Sequence, residues 1–328
     1  MIITKTPFRV SFIGGGSDLK SFYSKDTGRV ITSTINKYIY VIVKPKLGIV
    51  DYKFRVNWSK VEFKNELNKI EHPIVRETLK YFKVSGPIEI TTFSDVPAET
   101  GLASSSAFAV GLVKAISILK NIKLSKNQVA RIAAHIEVNL LKRNMGKQDH
   151  YACAYGGFNE FKFYSNENVT RKKILITKKI KKLLTQKLSL HYTSIKRNAS
   201  KILKKQTNLN YQQRSNLQKL INILPEVRDS LTNINKINKL GKLLDYSFEY
   251  KKKINNKVSS SRLEKIYNKS KKLDVLGGKI LGAGNGGFFL FFSHKKNKKK
   301  LNDMIGNVKL MNFSFEDKGV QKIKIKNI

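Results

Sequence analysis

Asp95-Val-Pro-Ala-Glu-Thr-Gly-Leu-Ala-Ser-Ser-Ser-Ala107 is the stretch whose reading decides the fold. It places one glycine and three hydroxyls where an apolar helix, about Ser104 to Leu119, is predicted to start. Small residues let a backbone come close to a phosphate, and a helix start offers unpaired N–H donors and a positive dipole end. One serine there would be an ordinary N-cap. Three after Gly101-Leu-Ala103 read as an anion site, with a hydroxyl available to Mg²⁺. No Gly-x₄-Gly-Lys-Ser/Thr sequence occurs, so this is not a P-loop.

Upstream of this loop, residues 1–13 alternate like a strand that Gly14-Gly15-Gly16 break, and Val30 to Pro45 reads as one or two strands. Asn57 to Glu66 is polar, Pro73 to Tyr81 reads as a helix, and Pro87 to Phe93 as a strand. Downstream, a second helix starts at Ser125, whose spacing to Gln128 is that of a capping box, and is predicted to end at Gly146. Its apolar stripe is Val129, Ile132, Ala133, Ile136 and Leu140. The second half shows a strand near Leu188 to Thr193 and helices over 196–206, 210–223, 236–254 and 260–273. It closes with Lys279 to His294 and an alternating tail. Composition turns Lys-rich around 162–185, so two domains are expected, 1–165 and 166–328.

The 328 residues are 41% hydrophobic, enough for a core, and carry a formal net charge of +41. That charge fits either a solvated lysine surface or an anionic partner. Lysine greatly outnumbers arginine, and no zinc, RRM or other nucleic-acid motif is present, so nucleic acid is not expected as the partner. Cys153 is the single cysteine, which fits a reducing compartment. No apolar run approaches the roughly 20 residues of a membrane span, and Met1 to Arg9 lacks a signal-peptide core. A soluble cytoplasmic chain is expected, with no membrane partner.

Three motifs in order carry a family resemblance. Pro97 to Ala107 resembles the ATP-binding motif of the GHMP kinases. Thr6-Pro-Phe-Arg-Val-Ser-Phe-Ile-Gly-Gly-Gly-Ser-Asp18 is similar to that family's N-terminal sugar-binding motif, and Leu281-Gly-Ala-Gly-Asn-Gly-Gly-Phe288 to its C-terminal glycine loop. Together they span nearly the whole chain. Within the family, Gly14 to Asp18, Tyr192 to Ser200, Trp58-Ser-Lys and His72 to Glu77 are most similar to the D-glycero-α-D-manno-heptose 7-phosphate kinases.

The resemblance implies an α+β, two-lobed GHMP kinase fold, with a ribosomal protein S5 domain 2-like N-terminal lobe and a ferredoxin-like C-terminal lobe. It implies ATP and Mg²⁺ as cofactors, a phosphorylated sugar as acceptor, and leaves a homodimer open. Asp149 matches the family's catalytic Asp and Arg9 its N-terminal Arg, near the transferring phosphoryl group. Glu137, with Ser105, matches the Mg²⁺ ligands; alone, Glu137 would equally suit a Lys or Arg partner, and Asp149 an N-cap. Pro97, Gly101, Leu102, Ala103, Ser104, Ser105, Ser106 and Gly284 are implied to hold the nucleotide. Gly14, Gly15, Gly16, Ser17, Asp18 and Arg197 are implied to hold the sugar phosphate, with Arg76 and Lys196 as further candidates for its phosphate.

Two positions depart from the family pattern. Ala103 stands where many relatives have Gly, and Asn285 interrupts the C-terminal glycine run. Gly282 to Gly287 also satisfies Gly-x-Gly-x-x-Gly, but a strand-like run, Phe288 to Ser293, follows it where a dinucleotide site needs a helix. A kinase for another sugar, such as fucose or another hexose, stays open as an alternative.

Overall fold

The computed structural model describes residues 1–46, 51–195, 202–203, 208–294, 298–306 and 308–324. Two sheets organise them. In the first, strands β1 (Ile2–Ile13), β2 (Gly28–Pro45), β3 (Phe54–Asn57), β4 (Val61–Lys64) and β5 (Ile88–Ser94) pair in the order β1-β2-β5-β3-β4. Strands β6 (Asn159–Phe163) and β7 (Val169–Lys173) extend it from β2. The second sheet contains β8 (Leu188–Tyr192), β9 (Val275–Ile280), β10 (Phe288–Ser293) and β11 (Lys309–Met311), antiparallel in the order β11-β8-β10-β9. The chain then returns to the first sheet: β12 (Phe315–Glu316) pairs with β2, and β13 (Gln321–Ile323) with β1.

Strand β1 is buried from Thr6 to Ile13, because helices cover one face of the sheet and the second half of the chain the other. Val30 to Pro45 lies within one long strand, β2, whose register against β1 shifts between Pro7 and Phe8. Pro7 has no N–H to give to a ladder, which suits an irregularity there. The polar stretch 57–66 holds the turn and the second strand of a hairpin, β3 to β4. Strand β3, with Phe54 and Val56 buried in alternation, joins the hairpin to the sheet by pairing parallel to β5.

Helix α1 (Lys20–Tyr23) is a single turn after the first glycine cluster. Helix α2 (Pro73–Tyr81) starts with proline at its first turn. Helix α3 (Ser104–Leu119) is buried nearly all round, as its unbroken apolar composition requires. Helix α4 (Lys126–Ala134) carries the expected capping box from Ser125 to Gln128. It does not run on to Gly146. His135–Leu140 wind as a π-helix, and α5 (Gln148–Tyr155) starts afresh. Gly146 serves a different need: a Cβ there would lie 1.8 Å from Asp18 Oδ2.

In the second half, α6 (Lys178–Lys187) precedes β8, and α7 (Tyr211–Asn222), α8 (Leu224–Thr232), α9 (Lys239–Ile254) and α10 (Ser261–Lys271) lie between β8 and β9. Helix α11 (Lys298–Ile305) precedes β11. Most of the expected helix 196–206 lies outside the described residues. Strand β10 is buried throughout: Phe289 and Phe291 pack with Phe248 and Tyr267, while Phe288, Leu290 and Phe292 join the main core. A strand covered on both faces reads as an unbroken apolar run.

Buried charges join the two halves. Glu160 accepts from Arg29 of β2 and from Arg228 of α8, and Lys279 of β9 donates to the Phe12 carbonyl of β1 at 3.0 Å. No described helix is long and apolar enough to cross a membrane.

Candidate active site

Arg9 sits in the middle of β1 and is buried. Its Nε donates to Asp149 Oδ1 at 2.8 Å and its Nη2 to Oδ2 at 2.9 Å, a two-pronged grip that fixes the carboxylate plane. Nη1 donates to the Gly101 carbonyl at 2.6 Å, and the Arg9 amide to the Leu102 carbonyl at 3.1 Å. The serine-rich loop is thereby tied to β1 and to Asp149. Asp149 lies in the first turn of α5, whose cap position is Lys147, so its carboxylate is not the N-cap.

Gly101 and Ala103 both adopt positive φ, +87° and +72°. The left-handed turn at Ala103 swings the chain into α3, and no side chain caps that helix start. Among the described residues, buried Ser106 Oγ has no hydrogen-bond partner. An uncapped start of a 16-residue helix beside an unpaired buried hydroxyl suits an anion such as a nucleotide phosphate. Leu102 faces the core, so only its backbone can line this surface. Pro97 is exposed, and its carbonyl accepts from Thr100 Oγ1.

Glu137, on the π-helix, is 0% exposed. Ser105 Oγ donates to its Oε1, Arg143 Nη1 donates to the same oxygen at 2.6 Å, and His150 Nε2 lies 2.9 Å from Oε2. Burial alone would oppose ionisation of Glu137. The His150 hydrogen bond and charge, the Arg143 charge and the Ser105 hydroxyl outweigh it and hold the carboxyl below its ordinary range. Ser105 Oγ and Glu137 Oε1 converge on a single cationic nitrogen, and hard oxygen donors around a cation fit Mg²⁺. Among the described residues no group of three or more His, Cys, Asp or Glu could hold a metal alone. A site of one carboxylate and one hydroxyl is the kind that substrate phosphates complete.

The first glycine cluster divides in two. Gly14, Ser17 and Asp18 are buried, while Gly15 and Gly16 are partly exposed. Ser17 Oγ bonds the Gly14 carbonyl and accepts from the Arg29 amide, so it closes the turn. Asp18 accepts from the amides of Gly16 and Gln148 and from Gln148 Nε2, at 3.0–3.1 Å. Burial, then the nearby charge of Asp149, raise the Asp18 carboxyl above its ordinary range against those bonds. Asp18 thus clamps the glycine turn onto the start of α5, next to Asp149.

The C-terminal loop packs on the serine-rich one: the Phe288 amide donates to the Thr100 carbonyl at 3.1 Å. Gly287, at φ +84°, passes so close that a Cβ would lie 2.1 Å from that oxygen. Gly284, at φ +96°, is set against Val258 rather than against the serines. Asn285 holds a left-handed φ of +59°, a conformation Asn accepts. Arg76 is engaged by the Ile70 carbonyl and Glu77. Arg197 and Lys196 lie outside the described residues.

Four site residues had no clear signal in the sequence. Arg143 and His150 meet at Glu137, and Gln148 bonds Asp18 and Ser11. Lys279 is a lysine at an inward position of β9, and burial, then the charges of Lys251 and Arg9, push its amine well below its ordinary range. Trp58 and His72, both in motifs that carried the resemblance, stack edge to face with centroids 4.7 Å apart, and His72 meets Phe108 of α3 at 4.9 Å.

The sequence model of the GHMP kinases N terminal domain matches residues 68–157. The chain is 30% identical over 345 residues to D-glycero-alpha-D-manno-heptose 7-phosphate kinase of Campylobacter jejuni subsp. jejuni serotype O:2, covering 99% of both chains. It is 26% identical to mevalonate kinase of Saccharolobus solfataricus over 76% of this chain and 75% of that one. In fold it is similar to a D-glycero-D-manno-heptose 1-phosphate kinase from Bacteriodes thetaiotaomicron, with a TM-score of 0.78, 22% identity and full coverage of both chains. With an end-to-end relative at this identity and a two-lobed fold that joins β1, the serine-rich loop and α5 around one carboxylate, the chain belongs to the GHMP kinases.

Proposed function

We propose that this kinase transfers the γ-phosphoryl group of ATP to the anomeric hydroxyl of D-glycero-α-D-manno-heptose 7-phosphate, giving the 1,7-bisphosphate for nucleotide-activated heptose and surface glycans. The observation that carries the reading is the Arg9 grip on Asp149 beside the uncapped start of α3. The end-to-end similarity to a heptose 7-phosphate kinase supports the choice of acceptor.

Asp149 is the one carboxylate here that is both oriented and partly open, and it accepts the proton of the acceptor hydroxyl. The acceptor oxygen bonds to the γ-phosphorus, the bond to the β-bridging oxygen breaks, and ADP leaves. Arg9 fixes Asp149 and adds positive charge where negative charge gathers. The amides of Ser104 to Ser106 and the Gly101 turn receive the phosphates. Ser105 and Glu137 would hold Mg²⁺, which when bound neutralises phosphate charge. Gly15 and Gly16 offer backbone to the sugar, positioned by Ser17, Asp18 and Gly14. We also propose lobes built mainly from residues 1–165 and 166–328, with β7, β12 and β13 of the second segment completing the first sheet, together with a cytoplasmic setting and Arg197 as a candidate for the acceptor's phosphate.

The test is ADP release with Mg-ATP against the α and β anomers of heptose 7-phosphate, heptose 1-phosphate, unphosphorylated heptose and fucose. Turnover confined to a 7-phosphate anomer is the expected result. Turnover on unphosphorylated sugars or on the 1-phosphate alone would sink the acceptor assignment.

A further inference from the structure

We propose that Arg143 is a built-in counter-cation for the Ser105–Glu137 pair, which a divalent cation must displace in order to bind. The inference rests on the metal-holding role proposed above for that pair. One nitrogen carries it: Arg143 Nη1 lies 2.6 Å from Glu137 Oε1 and 2.8 Å from Ser105 Oγ, and Ser105 Oγ in turn donates to Oε1. The guanidinium therefore closes a three-membered ring on the two oxygens that a metal would need.

The backbone is shaped to bring it there. Six residues along an ordinary α-helix fall about 120° away around the axis, off the face of the first residue. Here the segment after α4 widens into a π-helix, and the Arg143 amide bonds the Glu137 carbonyl at 3.1 Å. Just past the π-helix a left-handed Lys142 (φ +49°) turns the chain, and Arg143 folds back onto the Glu137 carboxylate. π-turns are frequent at functional sites.

The electrostatics give the ring a purpose. Glu137 has no solvent contact, and a buried carboxylate deprived of counter-charge costs several kcal/mol. His150 occupies Oε2, which leaves Oε1 to Arg143 and the serine. A divalent ion bound about 2.1 Å from both oxygens would meet the guanidinium at close range, and like charges that near repel. The two cations exclude each other. The Arg143 side chain is 31% exposed, so it can turn outward, whereas Glu137 cannot. The device keeps the buried charge paired before the nucleotide arrives and lowers metal affinity until phosphates supply the remaining ligands.

Mn²⁺ binding to the full, nucleotide-free chain tests this, with free Mn²⁺ read by electron paramagnetic resonance. Arg143→Gln should tighten Mn²⁺ binding about tenfold by removing the competing charge-assisted bonds. Arg143→Lys, which keeps a cation, should stay near the natural chain. Glu137→Gln should abolish binding in every background. If Arg143→Gln binds no tighter while Glu137→Gln still abolishes binding, the counter-cation role is overturned and the metal site stands. If Glu137→Gln binds Mn²⁺ as tightly as the natural chain, the metal reading itself falls. Thermal unfolding is the second readout: Arg143→Gln should melt lower without metal and gain more on adding Mn²⁺ than the natural chain. Should it unfold without metal, refolding in Mn²⁺ supports the role, and failure to refold overturns it.

Discussion

Asp149 is 17% exposed and held by one side chain, Arg9; Glu137 is 0% exposed and held by Ser105, Arg143 and His150. The first carboxylate comes from a helix start and faces the open side of the site. The second comes from a π-helix and faces inward. Asp149 is fixed in plane yet keeps a surface that a substrate can reach, as a proton acceptor must. Glu137 has no such surface, and its partners all donate, as suits a group that holds cations. Exposure and partner chemistry, more than proximity, divide the two proposed roles.

The largest effect should separate the two in activity. Asp149→Asn should lower kcat by about 10³, within the range for loss of a positioned base, with the chain still folded. A loss of only a few-fold in single-turnover phosphoryl transfer would break the assignment of the open carboxylate. Glu137→Gln should show the larger stability loss, about 3 kcal/mol by urea unfolding, because it leaves the buried His150 imidazole and the partly exposed Arg143 guanidinium against a neutral group. If it is as stable as Asp149→Asn, burial is not what distinguishes the pair.

Acidification probes the buried side further. Burial, with the Arg143 charge at His72 and the Lys298 charge at His191, pushes His72 and His191 down to about 4 from 6.5. The unfolded chain therefore binds more protons between those values. Stability from both histidines is present above pH 6.5 and is lost as pH falls toward 4. A flat denaturation midpoint across that window would contradict it. The smallest effect lies on the loop that serves both carboxylates. Ala103 pays for its left-handed φ of +72°, so Ala103→Gly should stabilise by up to about 1 kcal/mol, read as a rise in Tm. A fall in Tm would show that the methyl packing outweighs the backbone strain.

Helix α3, the serine-rich loop at its start, the capping box of α4 and the buried run of β10 were all legible, because each rests on local composition or period. Asp149 and Glu137 could be named through the family resemblance; alone, Glu137 equally suited a Lys or Arg partner and Asp149 an N-cap. The end of α4 was misread. Gly146 looks like a helix stop, but it is small because Asp18, far away in sequence, packs against it. The β3–β4 hairpin was missed because β3 is only four residues long and β4 is half polar, with Glu62 rather than an apolar residue on its buried face.

The sequence alone determined that a small-residue loop opens a buried helix and that carboxylates follow on the next elements, since these depend on side chains within a few turns of one another. Only the tertiary structure decided which groups meet: Arg9 with Asp149, Arg143 and His150 with Glu137, Lys279 with β1, and β12 and β13 with the first sheet. The physical reason is that a buried charge takes whatever partner the packed backbone brings within about 3 Å, and chain distance leaves no periodic trace of that choice.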